Sequence, residues 1–190
     1  MSDQDCAEFC SFHPDLRLET TAAGDLLVQA PTYPKTGVRN LYLNLYLGRH
    51  LGNWEEPLGS WEEKDGRGIT CDSSTGFVLP NGARRSPSLS WTLKSRIAEL
   101  DSPEGFWHLC PDFVMELKSP TDRPRTLKAK MQEYLQNGAQ LGWLIDPETR
   151  SVSIYRPTGE VEIHTNIDSL TAIEPLIGFT LDLVHVWNPF

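Results

Sequence analysis

The chain has 190 residues, of which 39% are hydrophobic and 23% are charged, and its formal net charge is −9. This length and composition predict one globular domain over residues 1–190, with residues 1–14 as a flexible N-terminal segment. The net charge argues against a general nucleic-acid binder, because contacts to phosphates need a basic surface. No apolar run is long enough for a membrane-spanning helix, so no membrane partner is expected.

Four cysteines occur at spacings that fit no zinc motif, and the first ten residues are acidic and polar, unlike a secretory signal. A disulfide framework is not expected in such a chain. These features together predict a cytoplasmic protein with reduced thiols.

The first half of the chain predicts two strands, a helix and a hairpin. Strands are expected at 16–20 and 25–30, on either side of a turn at Gly24, and the apolar spacing over 36–51 predicts a helix. Two short strands at 69–72 and 76–79 are predicted to pair as a hairpin. A further strand over 87–93 and a short helix near 96–99 complete this half.

The most informative segment is the strand predicted over 112–119. Successive side chains of a strand point to opposite faces, so the odd-numbered residues from 113 to 117 form one apolar face. Glu116 and Lys118 share the other face near the strand's C-terminal end, where ligand sites in open α/β sheets tend to lie. Because buried charges are costly unless they bind something, these two residues predict a functional cleft. The alternative is an ion pair on an exposed sheet face.

A helix is predicted to follow, beginning near Pro124 and ending at Gly138. Its apolar stripe contains Leu127 and Met131, and Lys130 borders that stripe. Lys130 either belongs to the same site as Glu116 or covers the edge of the core with its aliphatic stem. Apolar strands at 141–145, 151–155 and 161–164 come next, and the tail as far as Trp187 is predicted to pack back onto the domain.

The sequences PDFVMELKSP and LKAKMQEYLQNGAQLGWLIDP, with DSSTGFVLPNGARRSPSLSW upstream, resemble the Uma-type family of bacterial endonucleases. That family is similar to the PD-(D/E)XK phosphodiesterase superfamily, and the likeness spans most of residues 15–187. It implies a restriction-endonuclease-like α/β fold, in which a mixed central sheet is flanked by helices. It also implies an endonuclease that hydrolyses the phosphodiester bonds of DNA with Mg²⁺ or Mn²⁺.

The resemblance further implies a role for each candidate residue. Glu116 matches the acidic metal ligand, which would hold the cation together with the backbone carbonyl of Leu117. Lys118 matches the lysine of the same motif, and Lys130 matches a lysine of the following helix. Which of these two lysines is catalytic stays open. Ser88 stands where the family has a metal-binding aspartate, and a neutral hydroxyl is a weaker ligand for a hard cation.

Ser88 therefore favours an alternative function, that of a catalytically silent nuclease-fold protein acting as a binding or regulatory module. A second departure is that residues 36–51, the first predicted helix, carry no acid. Asp112 also follows a proline, but on a strand it lies about 13 Å from Glu116, too far to share one ion. We interpret Asp112 as a residue that starts the strand.

Contacts to DNA would need a local basic surface, and the sequence offers two: Arg84, Arg85, Lys94 and Arg96, and then Arg123, Arg125 and Lys128 with Lys130. The apolar and aromatic surplus, including the end at 187–190, predicts a homodimer. Two active sites in one assembly would suit the cutting of both DNA strands.

Overall fold

The computed structural model describes residues 2–13, 16–29, 31–51, 66–101 and 105–190. In chain order the elements are α1 (Asp3–Phe12), β1 (Arg17–Thr20), β2 (Leu26–Gln29), α2 (Pro34–Leu51), β3 (Gly68–Asp72), β4 (Phe77–Val78), β5 (Arg84–Arg85), β6 (Leu89–Leu93), α3 (Lys94–Ile97), β7 (Phe113–Leu117), α4 (Pro124–Gln136), β8 (Leu141–Asp146), β9 (Ser151–Tyr155), β10 (Val161–Thr165), β11 (Ser169–Thr171), β12 (Thr180–Asp182) and α5 (Val184–Trp187). Among these helices, none combines the length and the hydropathy needed to cross a bilayer.

The central sheet has six strands in the order β10-β9-β8-β7-β6-β3. Strands β7 and β8 are parallel and are joined through α4, whereas the other neighbours are antiparallel. Strand β7 is buried on both faces: Phe113 and Met115 belong to the core cluster that includes α2 and α5, and Val114 belongs to the cluster beneath α4. The predicted fold class, a mixed central sheet flanked by helices, is therefore confirmed.

A smaller sheet, in the order β2-β1-β5-β4, brings the N-terminal hairpin to the side of α4. Strand β5 follows β4 through a tight turn in which Gly82 has φ +85°, a conformation that glycine adopts without strain. The backbone N–H of Asn81 in this turn donates to Oδ1 of Asn137 at the end of α4, at 2.8 Å. This sheet places Glu19 of β1 and Arg85 of β5 against α4, beside the C-terminal end of β7.

Two parts of the structure differ from the predictions. The predicted hairpin of 69–72 with 76–79 is wrong, since β3 pairs with β6 in the central sheet and β4 pairs with β5 in the smaller one. The side chain of Asp72 accepts hydrogen bonds from the backbone and hydroxyl of Ser74, and this turn ends β3 before the chain changes sheet. Residues 3–12 of the N-terminal segment, for which no element was predicted, form α1, and Ser2 and Asp5 make a reciprocal capping box at its start.

The C-terminal tail packs back, as predicted. Trp187 is only 6% exposed, and its indole N–H donates to the carbonyl of Ile167 at 2.8 Å. Trp187 is thus part of this chain's own core, whereas Phe190 is 88% exposed. The homodimer consequently stays a prediction that depends on other apolar surface.

Asp112 holds three segments together and is fully buried. It accepts hydrogen bonds from the backbone N–H of Leu93 at 2.9 Å, from Arg96 at 2.9 Å and from Gln140 at 2.8 Å. A buried carboxylate that is paired in this way stabilises the fold. Its partners are consistent with our interpretation of Asp112 as a structural residue.

Candidate functional site

Glu116, near the C-terminal end of β7, lies beside Ser88. Strand β6 is antiparallel to β7 with Leu89 opposite Met115, so the residue before Leu89 falls next to Glu116. The Ser88 hydroxyl donates to Oε2 of Glu116 at 3.2 Å and accepts the backbone N–H of Leu117 at 3.1 Å. Ser88, which the resemblance aligns with a metal-binding aspartate, therefore touches the predicted metal ligand.

Lys130 reaches the same carboxylate from α4. Its Nζ lies 2.8 Å from Oε1 of Glu116 and donates to Oε1 of Glu19 at 2.7 Å, so one ammonium joins two glutamates. Tyr134, one turn later on α4, donates its phenolic O–H to Oε1 of Glu116 at 3.1 Å. The four-residue spacing of Lys130 and Tyr134 presents both groups to one carboxylate.

Glu19 is the residue of this cluster that the sequence analysis missed. Its Oε1 also accepts the backbone N–H of Ser86 at 2.9 Å, and its Oε2 lies 3.3 Å from Arg85. Arg85 in turn pairs with Glu133 of α4 at 2.5 Å. A lone glutamate in a short strand beside a turn resembles an ordinary surface charge. The sequence did offer one indication. Since the predicted first helix carries no acid, a second acidic residue of the site had to come from another element.

The cluster is buried and almost neutral. Glu19 and Glu116 are 3% and 5% exposed, and the Lys130 side chain is 10% exposed. Burial by itself would lower the pKa of the Lys130 ammonium, but the charges of Glu116 and Glu19 outweigh it, so this pKa is raised. The three glutamates, Arg85 and Lys130 together carry a net charge of −1 when all are ionised.

Lys118 is not brought to Glu116. Strand alternation puts the two on one face, but Lys118 follows the last residue of β7, and its ammonium pairs with Glu148 and, at 3.5 Å, with Asp146. The acids in and after β8 thus draw Lys118 away from the cluster. Of the two lysines left open by the sequence, Lys130 is the one that contacts Glu116.

The two predicted basic surfaces differ in how far their cations are paired with acids in the structure. Arg85 and Lys130 pair within the buried cluster, and Arg96 pairs with Asp112. Arg123, Arg125 and Lys128, around the start of α4, are exposed, and none of them pairs with an acid in the described part of the chain. Of the two predicted surfaces, the second is the one that offers several exposed cations to a ligand.

The donor set suits a hard divalent cation in part. The Oε1 atoms of Glu116 and Glu19 lie at most 5.5 Å apart, the sum of their 2.8 and 2.7 Å distances to one ammonium. One Mg²⁺ at about 2.1 Å from each oxygen needs them within about 4.2 Å of each other. No group of three or more His, Cys, Asp or Glu residues is arranged for a metal among the residues described. A cation would be held by the two carboxylates, the Ser88 hydroxyl and the backbone carbonyl of Leu117. The Lys130 ammonium now occupies the position between the carboxylates.

The chain is similar to a known protein family and to a solved structure. The model of the Uma2 family, described as "Putative restriction endonuclease", matches residues 3–184. A crystal structure of a putative nuclease belonging to DUF820, from Anabaena variabilis, superimposes with a TM-score of 0.72 at 19% identity, covering 90% of this chain and 89% of that one. At this identity the likeness establishes the fold. No curated protein matches the chain significantly.

Proposed function

The chain belongs to the Uma2 family of restriction-endonuclease-like proteins, and we propose that it hydrolyses DNA phosphodiester bonds with Mg²⁺ or Mn²⁺. One observation supports this most: two buried glutamates from different sheets converge on a single cationic group, the Lys130 ammonium. Two carboxylates can hold a divalent cation that acidifies water, and a neighbouring ammonium can stabilise negative charge on a phosphate.

Glu116 and Glu19 would hold the cation, assisted by the Ser88 hydroxyl and the backbone carbonyl of Leu117. When bound, such a cation acidifies water and stabilises negative charge on a phosphate. Lys130 would leave its position between the two glutamates, and its ammonium would then orient a water or stabilise the negative charge that develops on the phosphate. Arg85 would keep Glu19 in place through its contacts with Glu19 and Glu133. Lys118 would have no part in this chemistry.

The DNA would approach over the start of α4. Arg123, Arg125 and Lys128 supply positive charge there, and α4 also carries Lys130 of the cluster. In a chain with a net charge of −9, such a local group is needed to offset repulsion of the DNA backbone. This helix therefore combines a candidate binding surface with a candidate catalytic lysine.

A second candidate function is a catalytically silent binding or regulatory module. Ser88 removes one carboxylate, and both oxygens of Glu116 and of Glu19 already accept hydrogen bonds or ion pairs from the protein. Because every carboxylate oxygen of the two glutamates has a partner within the protein, the cluster needs no added cation to be stable. The observation that favours this candidate is thus the completeness of the network.

A plasmid-nicking assay in Mn²⁺, together with calorimetric Mn²⁺ titration, distinguishes the two candidates. We expect slow nicking by the wild type, and a loss of at least about 100-fold in Glu116→Gln, which removes a charged ligand and keeps its shape. Glu148→Gln is the matched control, because Glu148 is exposed and pairs with Lys118 away from the cluster. A wild type that neither binds Mn²⁺ nor nicks DNA would support the silent module.

A further inference from the structure

The hydroxyl of Tyr134 donates a hydrogen bond to the Glu116 carboxylate. The proposed function gives this residue no role in the site. Its ring projects from the buried face of α4 into the apolar cluster that contains Val114 and Met131, and it is fully buried. A buried phenol normally finds a hydrogen-bond partner, and here the partner is Oε1 of Glu116 at 3.1 Å. Lys130 binds the same oxygen, so Oε1 has one neutral donor and one charged donor.

The two donors behave differently toward an arriving cation. The Lys130 ammonium is positively charged, so it repels the cation and must move away from the carboxylates. The Tyr134 phenol donates its O–H to Oε1 as a neutral group, so it does not repel a cation. Tyr134 can therefore keep its hydrogen bond to Oε1 while a cation binds.

The two oxygens of Glu116 have different neutral donors. Oε2 accepts the Ser88 hydroxyl, and Ser88 is only partly buried, whereas Tyr134 is fully buried behind Oε1. A carboxylate with a neutral donor on each oxygen keeps its orientation when the ammonium leaves. The orientation of Glu116 is thus fixed from the core side.

We infer that Tyr134 is a positioning residue: its O–H stays bonded to Oε1 of Glu116 and keeps the carboxylate directed at the position that the Lys130 ammonium now occupies, where the cation would bind. This inference rests on the proposed function, because it concerns the same site. Once the Lys130 ammonium has moved away, Ser88 alone would leave Oε1 of Glu116 without a donor. Tyr134 acts through Glu116 and need not touch the substrate.

Tyr134→Phe tests the inference, since it deletes one hydroxyl and preserves the buried ring. Tyr155→Phe is the matched control: Tyr155 lies in the same apolar cluster, and no hydrogen bond joins its hydroxyl to Glu19, Glu116 or Lys130. We expect the Mn²⁺ dissociation constant, measured by calorimetry, to rise about tenfold in Tyr134→Phe and to be unchanged in Tyr155→Phe, as for a lost hydrogen bond to a charged group. The KM for DNA at saturating Mn²⁺ should be the same in all three proteins.

The Mn²⁺ affinity distinguishes positioning from a purely structural role, which would lower only the thermal midpoint. If Tyr134→Phe binds Mn²⁺ as tightly as the wild type, the inference is overturned while the proposed function stands. If neither the wild type nor Ser88→Asp binds Mn²⁺, the proposed function fails and takes the inference with it. Weaker Mn²⁺ binding in Tyr134→Phe, but not in Tyr155→Phe, supports both the proposed function and the inference.

Discussion

Ser88→Asp should bind Mn²⁺ at least about tenfold more tightly than the wild type and should nick plasmid DNA faster. The Ser88 hydroxyl lies 3.2 Å from Oε2 of Glu116, so an aspartate there would add a carboxylate beside the existing one. Hard divalent cations prefer carboxylate oxygen, and even outer partners of metal ligands change affinity about 10- to 100-fold. Calorimetric Mn²⁺ titration and plasmid relaxation measure the two effects.

The same substitution should destabilise the protein when chelator removes divalent ions. Two like charges would then lie side by side at a partly buried position, which lowers the free energy of unfolding, and Mn²⁺ should restore it. Ser88→Asn is the matched control, because asparagine has the shape of aspartate without its charge. If Ser88→Asp and Ser88→Asn respond alike to Mn²⁺, position 88 does not contribute a ligand.

Lys130→Met should lower the free energy of unfolding by about 3–5 kcal/mol in the presence of chelator. The substitution keeps the aliphatic stem but removes the ammonium between Glu19 and Glu116, which leaves two buried carboxylates without their shared cation. Urea denaturation followed by circular dichroism measures the loss. The variant should also fail to nick DNA, because the proposed reaction uses this ammonium.

Mn²⁺ should recover much of the stability of Lys130→Met, because a divalent cation can take the place of the lost ammonium. Lys128→Met is the control on the same helix: Lys128 is exposed, so its loss should change stability by no more than about 0.5 kcal/mol. A Lys130→Met variant as stable as the wild type in chelator, or one that Mn²⁺ leaves unchanged, would contradict the account of the cluster.

The elements around the site were predictable from local pattern. The apolar run at β7, the four-residue spacing of Leu127 and Met131 in α4, and the apolar run at β8 each specify one element with few alternatives. Strand β5, with two residues, is too short to give such a signal, and its pairing with β1 depends on residues more than 60 positions away. For that reason the smaller sheet was only half predicted.

The side-chain geometry of the cluster was less accessible from the sequence. Alternation along β7 predicts Glu116 and Lys118 on one face, but it carries no information on where a long flexible side chain ends. That is decided by Glu148 and Asp146, which draw Lys118 away. Glu19 was missed for a related reason: its burial results from Arg85 and Lys130, which lie on other elements.

A crystal structure of the protein soaked with Mn²⁺, with anomalous data, tests the central claim most directly. That claim is that Glu116 and Glu19 form one cation site that the Lys130 ammonium fills in the absence of metal. We predict an anomalous peak between the two carboxylates, with the Lys130 Nζ displaced from both. A soaked crystal without a peak at these residues, in which Lys130 still joins the two glutamates, would contradict it.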